Sequence, residues 1–223
     1  MGARAKICGL TTREGVEAAL AGSAAYLGFV SFEKSPRHLS PEVAAALAGP
    51  ARGRARIVAV TVDPTDSRLD ALMAELAPDL IQLHGREDPA RVAQVRARTG
   101  AQVIKALPVS HAGDLDAATV FAPLVDHLMF DARAPEGADL PGGLGASFDW
   151  GLLSGRRFAR PWFLAGGLTP GNVADAIALS GARLVDVSSG VETSPGLKQP
   201  ALITAFLDAV RSLETPDGEP NRP

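Results

Sequence analysis

The stretch Trp162-Phe163-Leu164-Ala165-Gly166-Gly167-Leu168-Thr169-Pro170 contains an apolar run, a glycine pair and a helix start in direct succession. The apolar residues at 162–165 do not alternate with polar ones, which is typical of a parallel strand covered by helices. Thr169 places a capping side chain before a proline at the first helical position, as Ser40 and Asp88 do elsewhere. The stretch therefore predicts one βα unit joined by a glycine loop.

The same unit recurs along the chain. Short apolar runs alternate about eight times with alanine-rich helical stretches, and no Ser/Gly linker separates two halves. The predicted strands are 5–8, 26–30, 56–62, 80–83, 102–106, 127–130, 162–165 and 184–187. Because eight parallel strands can close, we expect a single α/β domain, a (β/α)8 TIM barrel over residues 1–213. A doubly wound sheet is the alternative, and the polar, proline-rich residues 214–223 are expected to be disordered.

The composition excludes some classes of function. The chain has 223 residues, of which 46% are hydrophobic and 21% charged, as in ordinary soluble globular proteins. Its net charge of -3 provides no long-range attraction for nucleic acid or an anionic membrane surface. No apolar run has the length of a membrane span, and the N-terminus lacks the apolar core of a signal peptide. We expect a cytoplasmic protein, monomeric or homodimeric, with no nucleic-acid or membrane partner.

The chemically active residues lie where the predicted strands end. In a (β/α)8 barrel, catalytic groups gather at the C-terminal ends of the strands. Those positions carry Lys105 and ten candidate site residues: Cys8, Arg37, Gln82, His84, Asp131, Gly166, Gly167, Ser188, Ser189 and Gly190. The strand starts carry no comparable set, which favours the barrel over the open sheet.

Cys8 and Asp131 are the candidate catalytic pair. Cys8 is the only cysteine, so it can form no intramolecular disulfide, and nothing near it has the spacing of a zinc site. Its alternative role is that of a small buried hydrophobic residue. A carboxyl group at the end of a buried strand, such as that of Asp131, can serve as a general acid or can cap a turn.

Two loops predict a phosphate site. Gly166 and Gly167 follow strand seven, and residues 188–190 follow strand eight. Backbone N–H groups and serine hydroxyls at such positions can hydrogen-bond an anion. Barrels commonly bind phosphate at these two loops, and here the site is expected to hold it without a lysine or a metal.

Two further loops are candidates for substrate contacts. Arg37 follows a proline in the loop after strand two, where a guanidinium can hold a carboxylate or phosphate through two parallel hydrogen bonds. Its alternative is that of a solvated surface arginine. The long connection at 132–147, with glycines at 142, 143 and 145, predicts a lid.

Six segments carry a specific resemblance when taken in order. They are Lys6-Ile7-Cys8-Gly9-Leu10, Phe29 through Ser35-Pro36-Arg37, Gln82-Leu83-His84-Gly85, Phe148-Asp149-Trp150, Leu164-Ala165-Gly166-Gly167-Leu168 and Asp186-Val187-Ser188-Ser189-Gly190-Val191-Glu192. From residue 6 to about residue 198 the chain resembles the phosphoribosylanthranilate isomerase family of tryptophan biosynthesis, which has a (β/α)8 fold. Three positions depart from the family pattern. Gln199, which follows Lys198, stands where the family often has an acidic residue, at a position remote from the site. Leu144 replaces a threonine of the lid, and Thr61 replaces a phenylalanine, which we expect to reshape the pocket wall.

The resemblance implies an Amadori rearrangement of N-(5-phospho-D-ribosyl)anthranilate to 1-(2-carboxyphenylamino)-1-deoxy-D-ribulose 5-phosphate, without metal or other cofactor. It makes Cys8 the general base and Asp131 the general acid. It assigns the anthranilate carboxylate to Arg37 and the ribose phosphate to the loops at 166–167 and 188–190. Gln82 and His84 point to the same face in this reading and are expected to bind substrate, and a structural hydrogen-bonding role is the alternative for His84. The implied partner is a small phosphorylated substrate that carries a carboxylate.

Three other functions are alternatives. An isomerase that also accepts the aminoimidazole substrate of histidine synthesis would use two aspartates, and Cys8 argues against it. A metal-dependent pentose-phosphate epimerase would need histidine and carboxylate ligands around a metal, an arrangement that the four histidines do not show. A barrel that binds a sugar phosphate without catalysis is the third, and Cys8 and Asp131 argue against it.

Overall fold

The computed structural model describes residues 2–134, 137, 142–143 and 145–213, in which eight parallel strands form a closed barrel. The strands are β1 Arg4–Cys8, β2 Tyr26–Ser31, β3 Arg56–Thr61, β4 Leu80–Leu83, β5 Gln102–Val109, β6 His127–Ala132, β7 Trp162–Leu164 and β8 Leu184–Val187. Strands β1 and β8 close the barrel, with Ile7 paired to Val187. The predicted (β/α)8 barrel is confirmed. The doubly wound alternative is wrong, because an open sheet would leave both edge strands unpaired.

Helices on the outside of the barrel connect most of the strands. They are α1 Arg13–Ala21, α2 Pro41–Ala48, α3 Asp66–Ala71, α4 Pro89–Thr99, α5 Ala117–Phe121, α6 Val173–Ser180 and α7 Pro200–Arg211. The predicted caps of α2 and α4 are confirmed, since Ser40 accepts from the Val43 N–H and Asp88 from the Arg91 N–H. No helix in the described part of the chain is both long and apolar enough to cross a membrane. The predicted tail at 214–223 lies outside the described residues.

The predicted helix start at Thr169 is wrong. Helix α6 begins at Val173, because the Asn172 side chain folds back over the residues before it. Its Oδ1 accepts from the Thr169 N–H at 2.7 Å, and its Nδ2 donates to the Gly167 carbonyl at 2.9 Å. An anion bound at this loop would therefore contact a turn that the Asn172 side chain stabilises. The first turn of the helix lies beyond it.

The chain after β8 forms a hairpin that the sequence did not predict. A 3₁₀ turn, Ser189–Val191, leads into the antiparallel strands β9 Glu192–Ser194 and β10 Leu197–Lys198. The Lys198 side chain donates to the Ser188 carbonyl at 3.0 Å, so the hairpin lies against the C-terminal end of β8. The side chains of Glu192 and Lys198 are both buried there.

Side chains inside the barrel follow the two-residue period of the strands. Most of them are apolar, including Tyr26, Val58, Leu80, Ile104, Met129 and Phe163. Two charged side chains, Lys6 and Asp186, share this interior as an ion pair at 2.8 Å. A charge in such a place is costly unless it is paired, so the barrel interior holds a balanced pair among apolar side chains.

The partly buried imidazole of His127 makes the stability of the barrel depend on pH. Burial, together with Arg56 and Arg4, holds the pKa of His127 below its usual 6.5, and Asp126 opposes this only in part. The unfolded chain therefore binds this proton more readily, and stability is lost as the pH falls below 6.5. We expect His127→Phe to make that loss smaller, as measured by urea unfolding at a series of pH values.

The exposed His111 provides the control for this substitution. Its side chain is 71% exposed. His111→Gln should therefore not reduce the loss of stability that the parent protein shows as the pH falls. An acid dependence in His127→Phe as steep as that of the parent would contradict the role given to the buried imidazole.

Candidate active site

A cavity that is open to solvent lies at the C-terminal ends of the barrel strands. Eight of the predicted site residues line it: Cys8, Arg37, His84, Asp131, Gly166, Gly167, Ser188 and Ser189. Its apolar walls are Val30, Phe32, Val60, Val62 and Leu168. The other two predicted residues, Gln82 and Gly190, do not line the cavity, and each contacts a residue that does. The cavity thus brings a thiol, a carboxyl group, a guanidinium and two polar loops around an apolar wall.

Cys8 is the last residue of β1, and only 7% of it is exposed. The Lys6 side chain, two residues earlier on the same face of the strand, is fully buried and paired with Asp186. Burial raises the pKa of the Cys8 thiol, although the Lys6 ammonium opposes this shift. At neutral pH the thiol is therefore mostly protonated.

Asp131 lies near the end of β6 and is joined to β4 by a chain of hydrogen bonds. Its Oδ2 is 3.0 Å from His84 Nε2, and His84 Nδ1 is 2.8 Å from the Gln82 amide nitrogen. Because that nitrogen donates to Nδ1, the proton of a neutral His84 is on Nε2 and is donated to Asp131. Asp131 Oδ1 accepts from the Ala132 N–H at 2.9 Å. Gln82 thus supports His84 from below the cavity, and the Asp131 carboxyl group is held at both oxygens.

Arg37 is held in place by Glu192 of the hairpin. Its Nε and Nη2 each donate to one oxygen of the Glu192 carboxylate at 2.7 Å, and both side chains are buried. Although burial works against it, Arg37 and Lys198 keep the pKa of Glu192 below its usual value. Nη2 also donates to the Gly143 carbonyl at 3.1 Å. Within the described residues Nη1 donates to no protein group, so this end of the guanidinium is available to a ligand.

Lys198 supports the loop after β8 from behind. Its Nζ donates to the Ser188 carbonyl at 3.0 Å, to the Ser188 hydroxyl at 3.2 Å and to Glu192 at 2.6 Å. The expectation that this loop holds phosphate without a lysine stays a prediction. Lys198 takes part in the loop through bonds to protein groups, and it does not line the cavity.

Gly190 lies where the loops after β7 and β8 touch. A Cβ at this position would be 1.9 Å from the Leu168 carbonyl oxygen and 3.2 Å from the Thr169 Cα. Any other residue would force one of the two backbones to move. Gly190 therefore determines the spacing between the two loops.

Part of the predicted lid lies over the cavity. Gly142 packs against His84 and Asp131, and Gly143 packs against Arg37. Leu144, where the chain departs from the family pattern, lies outside the described residues, and so do residues 135–136 and 138–141. The lid therefore stays a prediction that the contacts of Gly142 and Gly143 support.

Thr61 does not form the pocket wall, and the expected reshaping there is wrong. The strand period turns Thr61 away from the cavity, whereas Val60 and Val62 line it. Thr61 is fully buried, and its hydroxyl donates to the Gln82 carbonyl at 3.2 Å. Thr61 therefore belongs to the packing between β3 and β4, and its side chain is not part of the cavity lining.

The structure adds four charged residues to the predicted site: Lys6, Asp186, Glu192 and Lys198. Of these, Asp186 lines the cavity. Lys6 could have been found in the sequence, because a residue two positions before Cys8 on a strand shares its face. Glu192 ends one of the segments that carry the resemblance, but no strand period connects Glu192 or Lys198 to the site. Nothing in their spacing predicts the β9–β10 hairpin that brings them to Arg37 and Ser188.

The comparison with known proteins gives the family. The family model of N-(5'phosphoribosyl)anthranilate (PRA) isomerase matches residues 5–209. This chain belongs to the PRA isomerase family. The N-(5'-phosphoribosyl)anthranilate isomerase of Caulobacter sp. (strain K31) is 65% identical over 209 residues, which cover 93% of this chain and 98% of that protein.

Solved structures of PRA isomerases have the same barrel. The enzyme of Thermotoga maritima is 32% identical with a TM-score of 0.84, and the match covers 95% of this chain and 100% of that one. A PRA isomerase in complex with reduced 1-(o-carboxyphenylamino)-1-deoxyribulose 5-phosphate is 31% identical with a TM-score of 0.81, at the same coverage. The similarity therefore extends over the whole barrel and both loops of the candidate site.

The contact at Gly190 gives a prediction for this member of the PRA isomerase family. Gly190→Ala should lower the free energy of unfolding by about 1–3 kcal/mol, because the added methyl group pushes the loops after β7 and β8 apart. Urea unfolding measures the change. Gly49→Ala is the matched control, since Gly49 has helical backbone angles and a Cβ there meets nothing within 4 Å. It should not lower the free energy of unfolding and should raise it by at most about 1 kcal/mol. Equal effects of the two substitutions would contradict the interpretation.

Proposed function

We propose that this chain converts N-(5-phosphoribosyl)anthranilate to 1-(2-carboxyphenylamino)-1-deoxyribulose 5-phosphate with Cys8 as general base and Asp131 as general acid. The PRA isomerase activity follows from the family to which the chain belongs. The roles of the residues rest on one observation. A thiol from β1 and a carboxyl group from β6 meet in one cavity, which also contains an arginine and two polar loops.

The cavity walls indicate how the substrate lies. Arg37 offers its Nη1 group to the anthranilate carboxylate, and the apolar side chains of Val30, Phe32 and Val60 line the same cavity and accommodate the aromatic ring. The loops at 166–167 and 188–189 receive the ribose phosphate. The ligand in the related complex carries the same two anionic groups, a carboxylate and a phosphate. Contacts at both ends hold the ribose carbons between acid and base, which lowers the entropic cost of reaction.

The proposed reaction has two proton transfers by protein groups. Asp131 protonates the ring oxygen of the ribose, and the bond between that oxygen and C1 breaks to give a Schiff base. The Cys8 thiolate then takes the proton from C2. The electrons of that C–H bond form the double bond between C1 and C2, and those of the C1–N double bond return to nitrogen. The resulting enolamine becomes the product by ketonisation.

The active form of the enzyme requires Cys8 to be deprotonated while Asp131 is protonated, the reverse of the usual order for these groups. Burial raises the pKa of the Cys8 thiol, so this form is a minority of the enzyme. For any acid and base in this reversed order, the fraction of the active form is constant between the two pKa values and falls above the higher one, which is that of the base.

A barrel that binds a sugar phosphate without catalysis is set aside, since the family is one of isomerases. The substrate-binding roles of Gln82 and His84 become supporting ones in this proposal, because Gln82 acts through His84 and His84 orients Asp131. A cytoplasmic location stays a prediction, and so does the choice between monomer and homodimer.

The pH profile of the reaction tests the two proton-transfer roles together. We expect kcat/KM to have a plateau that ends, on the alkaline side, at the pKa of the Cys8 thiol. That pKa is obtained independently from the pH dependence of alkylation of the single cysteine. A kcat/KM that increases through the thiol pKa would show that the base works with an ionised Asp131, and the proposed acid would be wrong.

Substitution of either catalytic residue should lower turnover strongly and spare binding. Cys8→Ala and Asp131→Asn should each lower kcat by about 10²- to 10⁴-fold, the usual contribution of a general acid or base. Turnover is measured as the loss of anthranilate-type fluorescence from freshly made substrate, with and without chelator. The reduced product analogue should still bind to both variants. A Cys8→Ala variant with the parent rate would remove the base assignment.

Substitution of Arg37 should weaken binding as well. Arg37→Ala removes the guanidinium that we place on the substrate carboxylate, so KM and the Kd of the reduced product analogue should both rise. Arg98→Ala is the control, because Arg98 is an exposed arginine that pairs with Asp70. A Kd in Arg37→Ala equal to that in Arg98→Ala would place the carboxylate elsewhere.

A further inference from the structure

Lys6 has no part in the acid and base steps, yet it is fully buried inside the barrel. Lysine is among the residues least often found without any exposed surface, because removing an ammonium from water is costly. Here one carboxylate compensates it, since Lys6 Nζ lies 2.8 Å from Asp186 Oδ1. Strands β1 and β8 place the two residues side by side in register. Two apolar side chains could fill this space without the cost of burying charge. We therefore expect the two charges to have a function.

The Lys6 ammonium lies next to the Cys8 sulfur. In the register of β1 and β2, Cys8 pairs with Gly28. A Cβ on Gly28 would be 3.0 Å from Lys6 Nζ and 3.1 Å from Cys8 Sγ. The Lys6 nitrogen and the Cys8 sulfur therefore lie on either side of the space that a side chain at Gly28 would fill. This arrangement connects the buried ion pair to the thiol.

We propose that Lys6 is a positioning residue for the general base, and that its ammonium, held by Asp186, is the counterion of the Cys8 thiolate. The inference rests on the proposed function for the role of Cys8. It adds a task for Lys6, which does not line the cavity, and for Asp186, which does.

The charge balance explains why a pair is present and not a lysine alone. When Cys8 is a thiol, the Lys6–Asp186 pair is neutral, and the buried lysine keeps its proton. When Cys8 is a thiolate, the ammonium faces two anions and the group carries one negative charge. Although burial works to lower it, the pKa of Lys6 is raised, because Asp186 and Cys8 both favour the charged form. Lys6 thus favours the thiolate, and Asp186 limits that effect while securing the ammonium.

Other charges also face Cys8 and must be kept constant in any test. They are Lys198 of the hairpin and Arg37 of the loop after β2, together with Lys6 and Asp186 themselves. Lys198 and Arg37 are both bound to Glu192, so substitutions at Lys6 or Asp186 leave their partner in place. A change in the thiolate fraction of Cys8 in such variants therefore measures the effect of the Lys6–Asp186 pair on the thiol.

A merely structural pair would behave differently. If Lys6 and Asp186 only fastened β1 to β8, removing either partner would lower stability and leave the acidity of the thiol unchanged. Under our proposal the two substitutions act in opposite directions. Lys6→Met removes the counterion and should reduce the thiolate fraction at a given pH, whereas Asp186→Asn leaves the ammonium unopposed and should increase it.

The single cysteine makes the experiment direct. The rate of alkylation by iodoacetamide, measured against pH on the whole chain without substrate, reports the thiolate fraction of Cys8 alone. Lys6→Met should slow alkylation at a fixed pH below the thiol pKa by about tenfold or more, the usual effect of a close opposite charge. Lys105→Met is the matched control, because Lys105 is also a buried lysine in an ion pair, with Glu87. Cys8 in the Lys105→Met variant should be alkylated at the rate of the parent protein.

The double variant Lys6→Met, Asp186→Asn keeps the test decisive if a single variant does not fold, since it leaves no unpaired buried charge. The expected order of alkylation rates is Asp186→Asn, parent, double variant and Lys6→Met, from fastest to slowest. A double variant that alkylates at the parent rate or faster would overturn the proposal. So would single variants whose rates change in the same direction.

Activity provides a separate readout. In Lys6→Met the plateau of kcat/KM should fall by the same factor as the thiolate fraction, and its alkaline limit should move to higher pH. An unchanged plateau with a lowered thiolate fraction would overturn the positioning role. The proposed function fails in another way, namely through an active Cys8→Ala variant, so the two failures are distinguishable.

Discussion

The pairing of β1 with β8 closes the barrel, and the functional contacts depend on this closure. It brings together Lys6 and Asp186 from opposite ends of the chain, and it leaves no open edge in the barrel. Closure also directs the carboxyl ends of all eight strands to one rim, where a thiol, a carboxyl group and two polar loops meet. In an open sheet, β1 and β8 would be free to lie at a distance, and the base would lose its charged neighbours.

The strands and the rim of the site could be predicted from the sequence because both follow from a short-range pattern. A run such as 184–187 is apolar apart from one inward carboxylate, and its bounds agree with the structure. Parallel strands share one direction, so Cys8 and Asp131 had to lie on the same rim once the barrel was assumed. The start of α6 could not be predicted in this way. Thr169 and Pro170 are typical of a helix start. The Asn172 side chain instead binds the Thr169 N–H and the Gly167 carbonyl, and these bonds hold the segment in a turn.

The finer arrangement of the site depends on contacts between distant parts of the chain. Gln82 and His84 share a face of one strand extension, yet only His84 reaches the cavity, and no local pattern distinguishes them. Gly190 resembles a phosphate-binding glycine in sequence, while its position is determined by a carbonyl of another loop. Glu192 and Lys198 reach the site only through a short hairpin. Such contacts depend on tertiary packing, which periodicity and residue type do not contain.

Glu192 accepts hydrogen bonds from Arg37 and from Lys198, and Lys198 also holds Ser188. One carboxylate therefore joins the part of the cavity suited to a carboxylate with the part suited to a phosphate. A ligand that draws Arg37 away from Glu192 leaves that carboxylate to Lys198 alone. The hydrogen bonds from Lys198 to Ser188 then change as well. The two halves of a ligand are for this reason not independent in energy. Fragments that carry only one anionic group would bind with free energies that do not sum to that of the whole molecule.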